Sequence, residues 1–227
     1  MTPEEYFGDW CQVINVKMAE DIIERLKASN RIICPRIADV FRAFRLCPLS
    51  RMRVMVIGQD PYNNYLNNKP VATGVAFANN KDTKEEDYSP SLEVLRESII
   101  DFSLPHGRIN FDPSLEKWEE QGVVMLNASL TCQMGEPLSH TLLWMPFMQS
   151  LLTNVSESLV GIVFVLLGNS AKSLEPFIDK QFHHIIKEKH PSWYVRNGKR
   201  MPNIWKQVNE ILIGQNDEGI KWYEEEL

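Results

Sequence analysis

Val54-Met55-Val56-Ile57-Gly58-Gln59-Asp60-Pro61-Tyr62 opens on four apolar residues, ends them at a glycine and turns through a polar Asp-Pro pair. So short and β-branched a run, bounded by Gly and Pro, reads as a strand buried on both faces. Working outward, three more runs share its character: Val123-Val124-Met125-Leu126, Ile162-Val163-Phe164-Val165-Leu166-Leu167 and, more weakly, His184-Ile185-Ile186. Helical patterns lie around and between them. Val16 to Leu26 has apolar residues at helical spacing, and Pro35 can open a second helix through Phe44. Pro90 to Ile100 starts behind Ser89 as a cap, and Pro113 to Gln121 starts behind Asp112. Leu142 to Leu159, Ser170 to Ile178 and Pro202 to Leu212 complete the set. Fully apolar strands alternating with helices predict an α/β fold, a three-layer α/β/α sandwich with a central, mainly parallel four-stranded sheet. With no repeat, low-complexity tract or linker, residues 1–227 are expected to form one domain.

Composition narrows the classes. Hydrophobic residues at 44% and charged residues at 24% suit a globular chain with a sizeable core. No apolar run reaches the ~18 residues of a membrane span, and the acidic start Met1-Thr2-Pro3-Glu4-Glu5 does not look like a signal peptide. A cytoplasmic or otherwise intracellular protein is expected. Cys11, Cys34, Cys47 and Cys132 are scattered, without a C-x-x-C pair or a histidine at zinc-finger spacing, so they read as free thiols and no metal is expected. The net charge of −6 argues against a surface that grips nucleic acid everywhere. Charge is unevenly spread, however: Lys187, Lys189, Arg196, Lys199, Arg200 and Lys206 face only Glu188 between positions 187 and 206.

Ligands of open parallel sheets bind beyond the carboxyl ends of the strands. There the four runs lead into Gln59-Asp60-Pro61-Tyr62, Asn127, Gly168-Asn169-Ser170 and His190-Pro191-Ser192. A carboxylate, an amide, a small polar turn and a histidine would therefore converge on one edge.

Gly58-Gln59-Asp60-Pro61-Tyr62 resembles the water-activating motif of the uracil-DNA glycosylase family. It is joined in order by Gly74-Val75-Ala76-Phe77, Ser89-Pro90-Ser91-Leu92, Val124-Met125-Leu126-Asn127 and His190-Pro191-Ser192, and the resemblance spans about Ile33 to Leu212. It implies a cofactor-free enzyme that hydrolyses the N-glycosidic bond of deoxyuridine in DNA and leaves an abasic site, with uracil-containing single- and double-stranded DNA as partner. By resemblance, Asp60 activates the water and stabilises the cationic sugar, and His190 donates to uracil O2 as charge develops. Gln59, Tyr62, Phe77 and Asn127 would bind the base: the amide of Asn127 reads uracil against cytosine, Tyr62 excludes the thymine methyl, Phe77 stacks, and the Gln59 and Asp60 backbone amides complete the pocket. Ser91, Asn169 and Ser192 would hold phosphates. His140 is a supporting candidate, while His106, His183 and His184 match nothing functional. A monomer is expected, and a proteinaceous inhibitor is a candidate partner.

The chain also departs from the family pattern. Asn63 and Thr73 stand where histidines are usual, Asn169 where serine is usual, and Tyr65 to Val71 reads as a short insertion. Trp193 and Tyr194 replace the proline and wedging leucine after Ser192. With Arg196, Lys199 and Arg200 just beyond, they are read as DNA-binding, Tyr194 filling the gap left by the flipped base and Trp193 supporting or replacing it. Three competing readings are a DNA-holding subunit without primary catalysis, a glycosylase of wider base range, and a nucleotide-binding α/β protein. Retention of Asp60, Asn127 and His190 opposes the first, Tyr62 the second, and the lack of a Gly-rich phosphate loop the third.

Overall fold

The computed structural model describes residues 3–66, 68–100 and 107–226; His106 lies outside them. The four apolar runs become β1 (Val54–Gly58), β2 (Val123–Asn127), β3 (Val163–Leu167) and β4 (His184–Glu188), an all-parallel sheet in the order β2-β1-β3-β4. Period-two alternation sends Met55, Ile57, Val124, Leu126, Phe164 and Leu166 into one core layer. Their neighbours Val54, Val56, Val123, Met125, Val163 and Val165 enter the other. The first three strands are buried along their whole length, whereas β4 closes the sheet as an edge strand with only Ile186 fully buried, which is why its apolar run is weak.

The flanking layers are built on α1 (Val16–Ala28), α2 (Pro90–Ile99), α3 (Thr141–Ser158), α4 (Pro191–Asn197) and α5 (Ile204–Gly214). Ile22 and Leu26 of α1 and Trp144, Phe147 and Leu151 of α3 pack on one face. Leu92 and Leu95 of α2, Tyr194 of α4 and Trp205 and Val208 of α5 pack on the other. The expected sandwich is therefore the observed one.

Several element boundaries differ from expectation, each for a local reason. Pro35 does not open a helix: Ile33–Cys34 pairs antiparallel with Cys132–Gln133, and the chain then makes a 3₁₀ turn at Ile37–Asp39 and a short helix at Arg42–Leu46. Pro113 to Gln121 shrinks to the helix Glu116–Glu119, because the Asp112 carboxylate accepts from the Ser114 and Lys117 amides and Leu115 takes a φ of 56°. Ser170 to Ile178 breaks into Asn169–Lys172 and a 3₁₀ turn at Glu175–Phe177, where Pro176 removes a helical donor. The last helix starts at Ile204, capped by the Asn203 side chain, rather than at Pro202. Ser89 precedes α2 without capping it; its amide donates to Asn79 Oδ1 and its hydroxyl accepts from Asn79 Nδ2.

The outer edge of β2 is covered rather than paired. The Ala76 amide donates to the Met125 carbonyl at 3.1 Å, and the Met125 amide donates to Glu119 Oε1 at 3.1 Å. Glu119 is fully buried and its Oε2 has no hydrogen-bond partner, so burial raises its carboxyl well above the ordinary range despite the nearby Arg42. These bonds fix both the strand ending in Asn127 and the segment leading to Phe77.

Candidate active site

The register places Gly58, the last residue of β1, directly beside Asn127, the last of β2. A Cβ on Gly58 would lie 2.6 Å from Asn127 Oδ1 and 2.7 Å from Phe77 Cζ. Only a glycine lets amide and ring close over the strand end. Gly168 does the same after β3: with φ at +89°, an added Cβ would stand 2.8 Å from His190 Cβ. Two glycines thus set the spacing of the side chains between them.

Asp60 is half-buried just past β1, and both its oxygens are held: Oδ1 accepts from Gln59 Nε2 at 3.0 Å and Oδ2 from the Leu138 amide at 2.6 Å. Leu138, at φ 63°, turns its amide toward the carboxylate from the far end of the Cys132–His140 loop. That loop is pinned from below. Trp144 Nε1–H donates to Thr131 Oγ1 at 2.7 Å, and the same hydroxyl lies in hydrogen-bond contact with His140 Nδ1 at 2.9 Å. Burial lowers the pKa of His140, which favours its neutral ring.

Tyr62, Phe77 and Asn127 line one small cavity with Ala72. The Tyr62 hydroxyl donates to the Phe77 carbonyl at 2.9 Å, holding Phe77 at its left-handed φ of 65°. Burial pushes the Tyr62 phenol up, so it stays a neutral donor. Phe77 and Asn127 are 6% and 8% exposed, and the Phe77 ring lies 5.5 Å from the His190 ring. Four residues singled out from sequence are thereby brought to one place. A larger cavity of about 750 Å³ sits at the opposite end of the sheet, around Arg53 and Trp222, and contains none of them.

His190 follows β4 and precedes α4. Its Nδ1 accepts from the Ser192 amide at 3.2 Å and lies 2.9 Å from Ser192 Oγ. A nitrogen that accepts from a backbone N–H carries no proton, so the neutral ring holds its proton on Nε2. Burial, reinforced by Arg196, lowers the pKa of His190 to about 4. The ring is a neutral Nε2–H donor through the ordinary pH range.

The remaining candidates divide. Asn169 is exposed after β3 and Ser192 half-buried in the first turn of α4, while Ser91 is only 8% exposed at the second position of α2. Tyr194 corrects the sequence reading: it is 6% exposed, packs in the core and donates its hydroxyl to Glu188 Oε1 at 2.7 Å. Helical phase explains the difference. The Pro191–Asn197 helix turns Tyr194 inward and leaves Trp193 half-buried at the rim of the core, with Lys189 Nζ 3.5 Å and Lys199 Nζ 5.5 Å from its ring centre. His183 is buried, accepting at Nδ1 from the Ile162 amide, and His184 is exposed. Among the described residues no cluster of His, Cys, Asp or Glu could hold a metal, all four cysteines are free, and no helix is long and apolar enough to cross a membrane. Sequence gave no signal for the Leu138 amide on Asp60, because a backbone donor leaves no residue signature.

The comparisons with known proteins point to one family. The family model described as the uracil DNA glycosylase superfamily matches residues 44–213. The chain is 32% identical over 224 residues to a uracil-DNA glycosylase of Fusobacterium nucleatum, covering 95% of each. It is also 32% identical over 229 residues to a uracil-DNA glycosylase of Francisella tularensis, covering 98% of each. Among solved structures, mimivirus uracil-DNA glycosylase superposes with a TM-score of 0.74 at 20% identity, over 98% of this chain and 93% of that one. A variant of the mimivirus protein in complex with UGI gives a TM-score of 0.80 at 21% identity, over 98% and 88%. Sequence kinship over nearly the whole length leaves one assignment: the chain belongs to the uracil DNA glycosylase superfamily.

Proposed function

We propose that this edge removes uracil from DNA by hydrolysing its N-glycosidic bond, with Asp60 and His190 at the reacting atoms. Bond cleavage leaves positive charge on the sugar and negative charge on the departing base. Asp60, with both oxygens anchored, positions and activates the water and stabilises the cationic sugar. His190 supplies a neutral donor from Nε2 to uracil O2, where charge grows. The observation that carries this reading is the Ser192 amide on His190 Nδ1, which fixes the donating tautomer. Backbone amides of Gln59 and Asp60 complete the base pocket.

Asn127 accepts from uracil N3–H and donates to O4, whereas cytosine reverses both groups. Tyr62, tied to the Phe77 carbonyl, stands beside C5 and excludes a methyl group, and the Phe77 ring stacks on the base. Asn127→Asp should gain action on cytosine, and Tyr62→Ala should admit thymine, both at reduced overall rate. Abasic-site formation on oligonucleotides carrying one uracil, cytosine or thymine tests this. Folded variants with unchanged base preference would refute the pocket.

Reaching the base requires flipping it out, which costs a few kcal/mol. Ser91, Asn169 and Ser192 are the proposed phosphate contacts. With Tyr194 held in the core, Trp193 is the ring that fills the vacated stack. Stacking is worth ~1 to 3 kcal/mol, so Trp193→Ala should slow uracil removal from duplex DNA roughly 10-fold more than from single strands. Equal losses on both substrates would make Trp193 a structural residue. The chain acts as an intracellular monomer, and a proteinaceous inhibitor is a candidate partner, as one binds the mimivirus variant solved in complex with UGI.

A further inference from the structure

Tyr65 to Val71, which reads in the sequence as a short insertion between the Asp60 motif and Phe77, carries a two-stranded hairpin. Tyr65–Leu66 pairs antiparallel with Lys69–Pro70 only three residues after Tyr62. Its base is fixed on two sides: the Val71 amide donates to the Asn64 carbonyl at 3.0 Å, and the Gly135 amide donates to the Asn63 carbonyl at 2.8 Å. Gly135 belongs to the same loop whose Leu138 amide holds Asp60. The hairpin is therefore anchored to the site while Tyr65 and Leu66 stay 37% and 49% exposed.

Beside it lies a cavity of about 360 Å³ lined by Arg36, Asp39, Arg42, Lys69, Thr73 and Asn80. Ala72 lines both this cavity and the one formed by Tyr62, Phe77 and Asn127, so the two adjoin. Three cations face one acid. Asp39 is bound by Arg36, and Arg42 is engaged by Glu116 and the Thr73 carbonyl, while the exposed Lys69 makes no ion pair among the described residues. Residues 61–81 contain six asparagines, Lys69 and Lys81 and no acid, within a chain of net charge −6. A stretch cleared of negative charge, rich in neutral donors and carrying an exposed aromatic on its first strand has the chemistry of a phosphodiester-facing surface.

We propose that this hairpin and Arg36 form a second contact with the backbone of the substrate DNA, on the β1–β2 side of the site, while α4 grips the β4 side. The inference rests on the uracil-excision reading for the identity of the substrate. Lys69 and Arg36 hold a phosphate outside the flipped nucleotide, and Tyr65 stacks on a neighbouring base.

The test compares wild type with Arg36→Ala/Lys69→Ala on a trinucleotide carrying one uracil and on a longer single-uracil strand, across a salt series. Each lost phosphate contact lowers the slope of log affinity against log salt by about 0.7 on single strands. The variant should lose roughly 10-fold in kcat/KM on a strand of about 20 nucleotides at low salt, with a slope shallower by about 0.7 to 1.4. The trinucleotide should be cleaved as by wild type, and Lys69→Arg should retain wild-type behaviour. Equal loss on both lengths, or an unchanged slope, would overturn the proposal. Equilibrium binding of both proteins to uracil-free single strands reads the same slope without catalysis. A chain that releases no uracil but shows the slope change would thus sink the functional reading and keep the hairpin contact.

Discussion

Asp60→Asn should reduce uracil release by at least ~10²-fold, the scale set by removal of a positioned base, while leaving the affinity for uracil-containing DNA nearly intact. The asparagine keeps the side chain's shape and one acceptor. What it loses is charge, and with it both proposed tasks: polarising the water and stabilising a cationic sugar. It also presents an amide N–H₂ to one of two groups that now donate to the carboxylate, Gln59 Nε2 at 3.0 Å or the Leu138 amide at 2.6 Å. Single-turnover rates with enzyme in excess, set beside binding of the same oligonucleotide, separate chemistry from affinity. Near-normal turnover would remove Asp60 from the mechanism.

His190→Leu should cost a similar ~10²-fold or more, because a preorganised donor to a developing anion is worth most where water is excluded. The pH behaviour follows from the same geometry. The folded pKa is lowered to about 4, so the ring is neutral above that value and the Nε2–H donor is present throughout. The acid limb of the rate should therefore show no histidine step near pH ~6.5, the unperturbed value. Stability should respond differently. The unfolded chain takes up a proton at this histidine as pH falls through ~6.5 while the native chain resists until about 4, so native stability is lost across that window. Imidazole nitrogen shifts at neutral pH should show Nδ1 unprotonated and Nε2 protonated. A ring titrating in the ordinary range, or a proton on Nδ1, would contradict the donor assignment.

What the sequence made legible follows the physics that wrote it. Strands buried on both faces must be continuously apolar, so β1, β2 and β3 are readable at a glance, and β4 is faint because it lies at the edge. Asp60, Asn127 and His190 are legible because a parallel sheet delivers its strand ends to one side. Helix extents are less so. Asp112 rewires the amides that would have extended Glu116–Glu119, and neither that nor the pairing of Ile33–Cys34 with a strand a hundred residues away has a local signal. Tyr194 shows the limit most plainly. A one-residue choice of helical phase decides which of two adjacent aromatics is the more deeply buried, and the bond from its hydroxyl to Glu188 settles it. The roles of Gly58 and Gly168 depend on contacts with Asn127, Phe77 and His190 that exist only once the sheet is assembled.

This sheet edge is proposed to hydrolyse the uracil glycosidic bond without a metal. The most direct test incubates the purified chain, with chelator present, on a strand carrying a single uracil, then cleaves abasic sites with alkali and assays free uracil. Free uracil and strand scission in equal amounts, with thymine and cytosine strands left whole, are the expected result. An intact uracil strand, or activity abolished by the chelator, would contradict it.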